Sequence, residues 1–183
     1  MEWLASLDEG ILLFIQEYIR IDFMNGFWRF ITSLGNQGWF WIAVSVILLI
    51  PKRTRYIGLA ALLSLAVNFL IANLILKPLV ARIRPYEAIE GLKILIAAPH
   101  DYSFPSGHTS ASFAVALVYL RKMPKPYGVC FVVLAALIAI SRLYVGVHYP
   151  TDVLGGFLIG MISSWAVCRG MEYLSRKTGT EET

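Results

Sequence analysis

Long apolar segments alternate with short polar ones along most of the chain. A helix that crosses the hydrocarbon core of a bilayer needs about 20 residues, and several of these segments reach that length only by including polar residues at one end. The pattern predicts an all-α, integral membrane helical bundle with five transmembrane helices. Its apolar segments are residues 27–50, 56–76, 110–120, 127–140 and 153–167, the first of them interrupted by Gly35-Asn36-Gln37-Gly38.

The first 34 residues differ from the rest because apolar and charged side chains alternate there at helical spacing. Their apolar positions are Trp3, Leu4, Leu7, Ile11, Phe14, Ile15 and Tyr18. This spacing is typical of an amphipathic helix that lies in the membrane interface. The alternative is a sixth span through residues 11–34, which would carry four charged residues into the bilayer at considerable cost. We therefore predict one membrane domain, residues 1–176, with an interfacial segment at 1–34 and a disordered tail at 177–183.

Composition and charge support a membrane location. Of the 183 residues, 57% are hydrophobic and 15% are charged, whereas roughly 25% of the residues in soluble domains are charged. Cations follow every second span, at Lys52, Arg53, Arg55, Arg121, Lys122, Lys125, Arg169, Arg176 and Lys177. Because cationic loops stay in the cytoplasm, we expect a multi-pass cell-membrane protein with an external N-terminus, a cytoplasmic C-terminus and no nucleic-acid partner.

The cysteines give no sign of a metal centre. Cys130 and Cys168 each lie in an apolar run, and no Cys/His cluster surrounds either of them. Buried thiols of this kind behave as small hydrophobic residues. We therefore expect neither a bound metal nor another cofactor.

A second set of polar residues lies at the ends of the spans away from the cationic loops. Its members are Lys77, Arg84, Ser106, Gly107, His108, Ser141, Arg142, His148 and Asp152. Since alternate spans run in opposite directions, these residues reach one depth near the extracytoplasmic face. Ionisable groups at membrane depth are candidates for function, so we predict a site there.

The segment before the third span suits an anion. Pro105 fits the first turn of a helix, where its missing N–H costs nothing. The N–H groups of Ser106, Gly107 and His108 would then be free donors at a helix N-terminus, which is a ready site for phosphate. We therefore expect Ser106 and Gly107 to bind phosphate.

Three cations of this set add positive charge to the same site. Arg84 and Arg142 can each donate paired N–H groups to phosphate oxygens, and Lys77 adds a point charge. With too little acid nearby, the three cations would repel one another unless an anion is bound. They are the remaining candidate phosphate-binding residues.

The histidines supply the chemistry. Pro150 favours a helix that begins after Tyr149, so that Asp152 lies in its first turn and can reach back to His148. A carboxylate on one ring nitrogen fixes the tautomer and leaves the other nitrogen free to attack. His108 is then the candidate general acid for the leaving group.

These residues resemble the three-part signature of the type 2 phosphatidic acid phosphatase family, which is related to the vanadium haloperoxidases. The parts read here as Lys77-x6-Arg84-Pro85, Pro105-Ser106-Gly107-His108 and Ser141-Arg142-x5-His148-x3-Asp152. The resemblance implies a metal-independent lipid phosphatase. It also implies a phosphohistidine on His148, orientation of that ring by Asp152 and protonation of the leaving group by His108.

The substrate is left open by these motifs. Undecaprenyl diphosphate ranks first, phosphatidylglycerophosphate or phosphatidic acid second, and a lipid A phosphate third. A phosphotransferase that passes the phosphoryl group from the same histidine to an acceptor is an alternative enzyme, and a non-enzymatic lipid carrier is an alternative of another class. The sequence does not indicate an oligomeric state.

Overall fold

Each apolar segment folds into helix, because helices satisfy all their backbone hydrogen bonds internally within a membrane. The computed structural model describes residues 2–178, and in that range the chain is helical with no β-strand. The helices are α1 Glu2–Phe14, α2 Asp22–Ser33, α3 Trp39–Leu49, α4 Arg55–Phe69, α5 Lys77–Val80, α6 Pro85–Ala88, α7 Gly107–Lys122, α8 Lys125–Tyr144 and α9 Pro150–Thr178. Short π-helical segments, Ile15–Ile19 and Leu70–Leu76, follow α1 and α4.

The predicted all-helical membrane bundle is confirmed, while the number of spans stays a prediction. Within the described residues, three helical stretches are long and apolar enough to cross a membrane: Arg55–Ala88, Lys125–Tyr144 and Pro150–Lys177. A fourth is available if α2 and the stretch Asn36–Leu49, bent by 44°, act as one span. The remaining predicted span is α7, which has only 16 residues.

Helix α7 lies at the centre of the bundle, against α4, α8 and α9. Its buried face contains Val115, Ala116 and Tyr119, each fully inaccessible to solvent. Small polar side chains join the helices, since Ser64 Oγ donates to the Ala114 carbonyl at 2.8 Å and Trp41 Nε1 donates to Ser112 Oγ at 2.9 Å. The buried hydroxyls of Ser64 and Ser112 are tolerated because each has a hydrogen-bond partner.

Glycines on α9 allow this helix to approach α7 closely. A Cβ atom added at Gly160 would lie 2.6 Å from the Ser110 carbonyl oxygen and 2.9 Å from the Ala114 nitrogen. These are backbone atoms, so the two helices would have to separate. The contact matters for function because α7 and α9 begin at the two predicted histidine motifs.

Replacing Gly160 with alanine is expected to destabilise the protein by about 1–3 kcal/mol, the usual cost of overpacking. The melting temperature of the purified protein in detergent measures this loss. Gly170→Ala is the matched control on the same helix, because nothing lies within 4 Å of its added Cβ. Equal melting temperatures for the two variants would contradict the close contact between α7 and α9.

The N-terminal region is helical, and most of its apolar side chains point away from the protein. Trp3 is 70% exposed and Phe23 is 92% exposed, whereas Asp8 and Leu12 are buried against the bundle. At the other end of the chain, α9 continues to Thr178, so the first two residues of the predicted tail are helical. Residues 179–183 of that tail lie outside the described part.

Candidate active site

His148 and Asp152 form a buried pair at the start of α9. His148 Nδ1 lies 3.4 Å from Asp152 Oδ2, and the two side chains are 2% and 0% exposed. The same carboxylate oxygen accepts hydrogen bonds from Ser103 Oγ at 2.5 Å and from the Tyr149 N–H at 2.9 Å. These donors hold Asp152 in place, so its position can orient the imidazole ring.

The environment of His148 favours the neutral imidazole. Burial lowers its pKa to about 4; the nearby Arg142 and Arg84 contribute to this, and Asp152 partly opposes it. Above that pH the ring is unprotonated, so one nitrogen has a free electron pair. With Nδ1 next to Asp152, the free nitrogen is Nε2 on the opposite side of the ring, which is the atom able to attack phosphorus.

A cavity of about 400 Å³ lies beside the His148 ring. Six of the predicted site residues line it, namely Lys77, Arg84, Gly107, His108, Arg142 and His148. Arg84 Nη1 is 3.4 Å from His148 Nε2 and donates to the Val147 carbonyl at 2.8 Å. The structure therefore brings the proposed nucleophile, the proposed acid and three cations to one cavity.

Arg142 is almost fully buried and carries an unused donor. Its Nη1 donates to Thr32 Oγ1 at 2.6 Å, while its Nε is buried and has no partner among the described residues. Leaving a buried charged donor unpaired is costly. A phosphate oxygen in the cavity is an acceptor that would remove this cost.

The start of α7 differs in detail from the sequence prediction. Helix α7 begins at Gly107 with Ser106 as its N-cap, so Pro105 precedes the first turn instead of lying in it. The Ser106 N–H donates to the Asp152 carbonyl at 3.1 Å and is not free. Ser106 is also fully buried, with its hydroxyl accepting from Thr109 Oγ1 at 3.0 Å. It therefore caps the helix and fixes Asp152, and it does not line the cavity.

Gly107 does lie where a phosphate could approach. A Cβ atom at this position would lie 3.5 Å from Asn73 Oδ1 and 3.6 Å from Lys77 Nζ. The N–H groups of Gly107 and His108 are in the first turn of α7 and have no acceptor within the helix. Together with the Lys77 ammonium, these donors make the helix N-terminus suitable for an anion.

Asp101 is a site residue that the sequence analysis missed. Its carboxylate forms ion pairs with both Lys77 Nζ and Arg84 Nη2, the latter at 2.5 Å. Burial alone would raise the pKa of Asp101, but the hydrogen bonds and charges of Lys77 and Arg84 outweigh it and lower the pKa to about 2. The ionised carboxylate lies between two cations that are candidates for phosphate binding. Asp101 lies in an irregular loop, where no periodic pattern of residues could have indicated its role.

Arg82 and Asp8 form a second contact that sequence reasoning missed. Arg82 donates from Nη1 to Asp152 Oδ1 and from Nη2 to Asp8 Oδ2, both at 2.7 Å. Its guanidinium also lies over the Tyr149 ring, 3.8 Å from the centroid. Asp8 is only 2% exposed, and it also accepts from the Thr151 N–H at 3.0 Å. Helix α1 is thereby connected to the carboxylate that pairs with His148.

A larger and mainly apolar cavity of about 770 Å³ adjoins the polar one. Lys77, Asp101, Gly107 and His108 line both. The apolar wall is formed by side chains of α3 and α4, including Ile42, Leu62, Leu65 and Phe69. An apolar cavity that ends at a cluster of cations suits a molecule with a hydrocarbon chain and a phosphate head.

Comparison with known proteins agrees with this geometry. The family model of the PAP2 superfamily matches residues 56–176. An undecaprenyl-diphosphatase of Sulfolobus acidocaldarius is 36% identical over 81% of this chain and 69% of its own. The undecaprenyl-diphosphatase BcrC of Bacillus subtilis is 32% identical over 92% of this chain and 78% of its own.

Solved structures give the same result. The crystal structure of the transmembrane PAP2 type phosphatidylglycerolphosphate phosphatase from Bacillus subtilis superposes with a TM-score of 0.80 and 30% identity, covering 96% of this chain and 90% of that one. Aquifex aeolicus LpxE gives a TM-score of 0.77 and 25% identity over 87% and 93% of the two chains. Fold and site thus define a membrane-embedded phosphatase, an enzyme that hydrolyses phosphate esters. The chain belongs to the PAP2 superfamily.

Proposed function

We propose that the protein releases phosphate from undecaprenyl diphosphate, giving undecaprenyl phosphate, through a phosphohistidine on His148. The observation that carries this proposal is the position of His148, whose Nδ1 lies beside Asp152 while Nε2 lies beside Arg84. The adjoining apolar cavity of about 770 Å³ has room for part of a long hydrocarbon chain. The names of the two undecaprenyl-diphosphatase relatives support the choice of lipid.

The reaction takes two displacements at phosphorus. His148 Nε2 attacks the terminal phosphorus and the bond to the bridging oxygen breaks, while His108 donates a proton to that oxygen. Water then attacks the phosphohistidine, His108 accepts its proton, and the P–N bond breaks to release inorganic phosphate. Lys77, Arg84, Arg142 and the N–H of Gly107 stabilise the phosphoryl oxygens, where transition-state charge is held.

We infer that the site faces the extracytoplasmic side. It is formed by the C-terminal ends of α4 and α8 and by the N-terminal ends of α7 and α9. The turns at the opposite ends carry the cationic clusters 52–55 and 121–125, and the cationic residues 169–177 lie at the far end of α9. The positive-inside rule assigns that end to the cytoplasm. The outward apolar residues of α1 and α2 support an interfacial location for the N-terminal segment.

Phosphate release from a panel of purified lipids in detergent tests the function. We expect the largest kcat/KM for undecaprenyl diphosphate, and we expect activity to persist in EDTA because protein cations alone hold the phosphate. Loss of activity in EDTA, or no release from any lipid, would contradict the proposal. Transfer of radiolabel to an acceptor lipid, without free phosphate, would indicate a phosphotransferase.

Phosphatidylglycerophosphate is the second candidate substrate. The observation that favours it is the TM-score of 0.80 and the 30% identity with the phosphatidylglycerolphosphate phosphatase of Bacillus subtilis. The two substrates differ in the leaving group, which is a phosphate monoester from the diphosphate and an alkoxide from phosphatidylglycerophosphate. A higher kcat/KM for phosphatidylglycerophosphate in the same panel would replace the first proposal by this one.

A further inference from the structure

The short segment between α2 and α3 forms one wall of the active site. In the sequence, Gly35-Asn36-Gln37-Gly38 only interrupts an apolar segment. In the structure the chain turns here through left-handed conformations at Gln37, with φ 48°, and Gly38, with φ 71°. Residues just before this turn lie close to His108 and Arg142, one from each of the two histidine motifs.

Two contacts show how closely this segment fits the site. A Cβ atom at Gly35 would lie 2.6 Å from His108 Cδ2 and 3.0 Å from Ile138 Cγ2, so no side chain fits between the turn and the imidazole. One turn earlier, Thr32 Oγ1 accepts the 2.6 Å hydrogen bond from Arg142 Nη1. The segment therefore contacts both the proposed acid and one of the phosphate-binding cations.

The third contact is a hydrogen bond to the ring of His108. Its Nε2 lies 2.9 Å from Asn36 Oδ1. An amide oxygen at this distance accepts the Nε2–H, and this hydrogen bond fixes both the rotation of the ring and its tautomer. Nδ1 is then the nitrogen that exchanges a proton with the leaving group.

The charges around His108 make such an acceptor important. The cationic groups near the ring are Lys77 at the start of α5, Arg84 just before α6 and Arg142 near the end of α8, and His148 lies just before α9. Asp101 is the one carboxylate among the described residues that line the two cavities, and it is paired with Lys77 and Arg84. The imidazolium form thus has cationic neighbours, and a neutral acceptor on Nε2 stabilises it without adding an anion that would compete for the phosphate-binding cations.

We propose that Asn36 is a positioning residue for the general acid, holding His108 so that it can protonate the leaving oxygen. This inference rests on the proposed function and adds a residue outside the three motifs that carry it. It predicts a dependence on the leaving group. An alkoxide needs a proton in the transition state, whereas a nitrophenolate leaves without one, so only the first reaction needs a correctly held acid.

The test compares dodecyl phosphate with p-nitrophenyl phosphate for the wild type and for Asn36→Ala. We expect kcat for dodecyl phosphate to fall by about 100-fold, at the lower end of what a general acid contributes. For p-nitrophenyl phosphate we expect little change. Asn36→Asp retains an acceptor oxygen but adds an anion, so we expect it to restore much of the kcat for dodecyl phosphate while raising the KM.

Two further variants keep the test decisive. Gly26→Ala is the control, because Gly26 lies on α2 outside the lining of both cavities and nothing lies within 4 Å of its added Cβ, and both reactions should be unchanged. Asn36→Leu, of similar volume, replaces Asn36→Ala if the latter fails to fold as judged by melting temperature.

Each alternative outcome has a distinct meaning. Equal losses for both substrates in Asn36→Ala or Asn36→Leu would overturn the inference, since a general structural role affects both reactions. Wild-type protein that cleaves only p-nitrophenyl phosphate would also overturn it, because there would be no effective acid to position. Wild-type protein that cleaves neither compound nor any lipid of the panel would instead overturn the proposed function, and the inference with it.

Discussion

His148→Ala is expected to lower phosphate release by about 10⁶-fold, the scale seen when a nucleophile is removed from a catalytic unit. The reason is structural, because among the described residues only the His148 ring combines a free nitrogen at the cavity with a carboxylate on its other nitrogen. His108, the second residue of α7, instead has the amide of Asn36 as its partner. Initial rates with undecaprenyl diphosphate measure the loss.

A trapping experiment separates loss of the nucleophile from loss of binding. Wild-type protein quenched during turnover of ³²P-labelled diphosphate should carry label that is stable in base and lost in acid, as expected for a P–N bond. His148→Ala should carry none. The third histidine provides the control, because His100 lies in the loop before α7, outside the motifs and the cavity lining, so His100→Ala should keep both label and rate. Label on His148→Ala would contradict the assignment.

Asp152→Asn is expected to lower kcat by about 10²–10⁴-fold, because the amide lacks the negative charge that stabilises the His148 ring when it becomes positively charged on attack. The contacts of Asp152 allow a specific expectation. Its Oδ2 accepts from Ser103 Oγ and the Tyr149 N–H while lying next to His148 Nδ1. These two donors favour the amide oxygen at that position, so the same oxygen still faces the ring and the substitution removes charge more than it changes shape.

The KM of the variant and a control for the lost charge complete this test. The KM for the lipid should change by only a few fold, since Asp152 lies behind His148 and does not line the cavity. Asp22→Asn, an exposed carboxylate far along the chain on α2, is the control for loss of one negative charge. A kcat for Asp152→Asn within tenfold of the wild type would show that the imidazole is oriented by other groups.

The helices and the convergence of the site were predictable from the sequence because both depend on local patterns. Apolar length indicated the spans, and alternating direction placed Lys77, Arg84, His108, Arg142 and His148 at one depth. Each of these five lines the same cavity. The number of spans was less predictable, because α7 is a central helix of only 16 residues that includes small and polar side chains.

The residues that support the site were not predictable, for a physical reason. Asp8, Arg82 and Asn36 act on partners about 70 or more positions away in the chain, and no periodicity encodes such pairs. Asp8 did break an apolar stretch, and a charge among apolar helix positions could have indicated a buried ion pair. Asn36 follows a glycine within a predicted span. This combination indicates that the helix is interrupted there, but it does not indicate which residues the interrupted segment contacts.

Asp101 makes phosphate binding an exchange of anions. An incoming phosphate must compete at Lys77 and Arg84 with a carboxylate on the same chain, whose effective concentration does not fall on dilution. The carboxylate remains ionised throughout the physiological pH range, because its pKa is about 2. The measured free energy of phosphate binding is then the difference between the free energies with which phosphate and Asp101 bind these two cations. The Asp101 carboxylate also helps to displace released inorganic phosphate, because it stays close to the cations. We expect turnover to be less sensitive to accumulated product than two cations alone would make it.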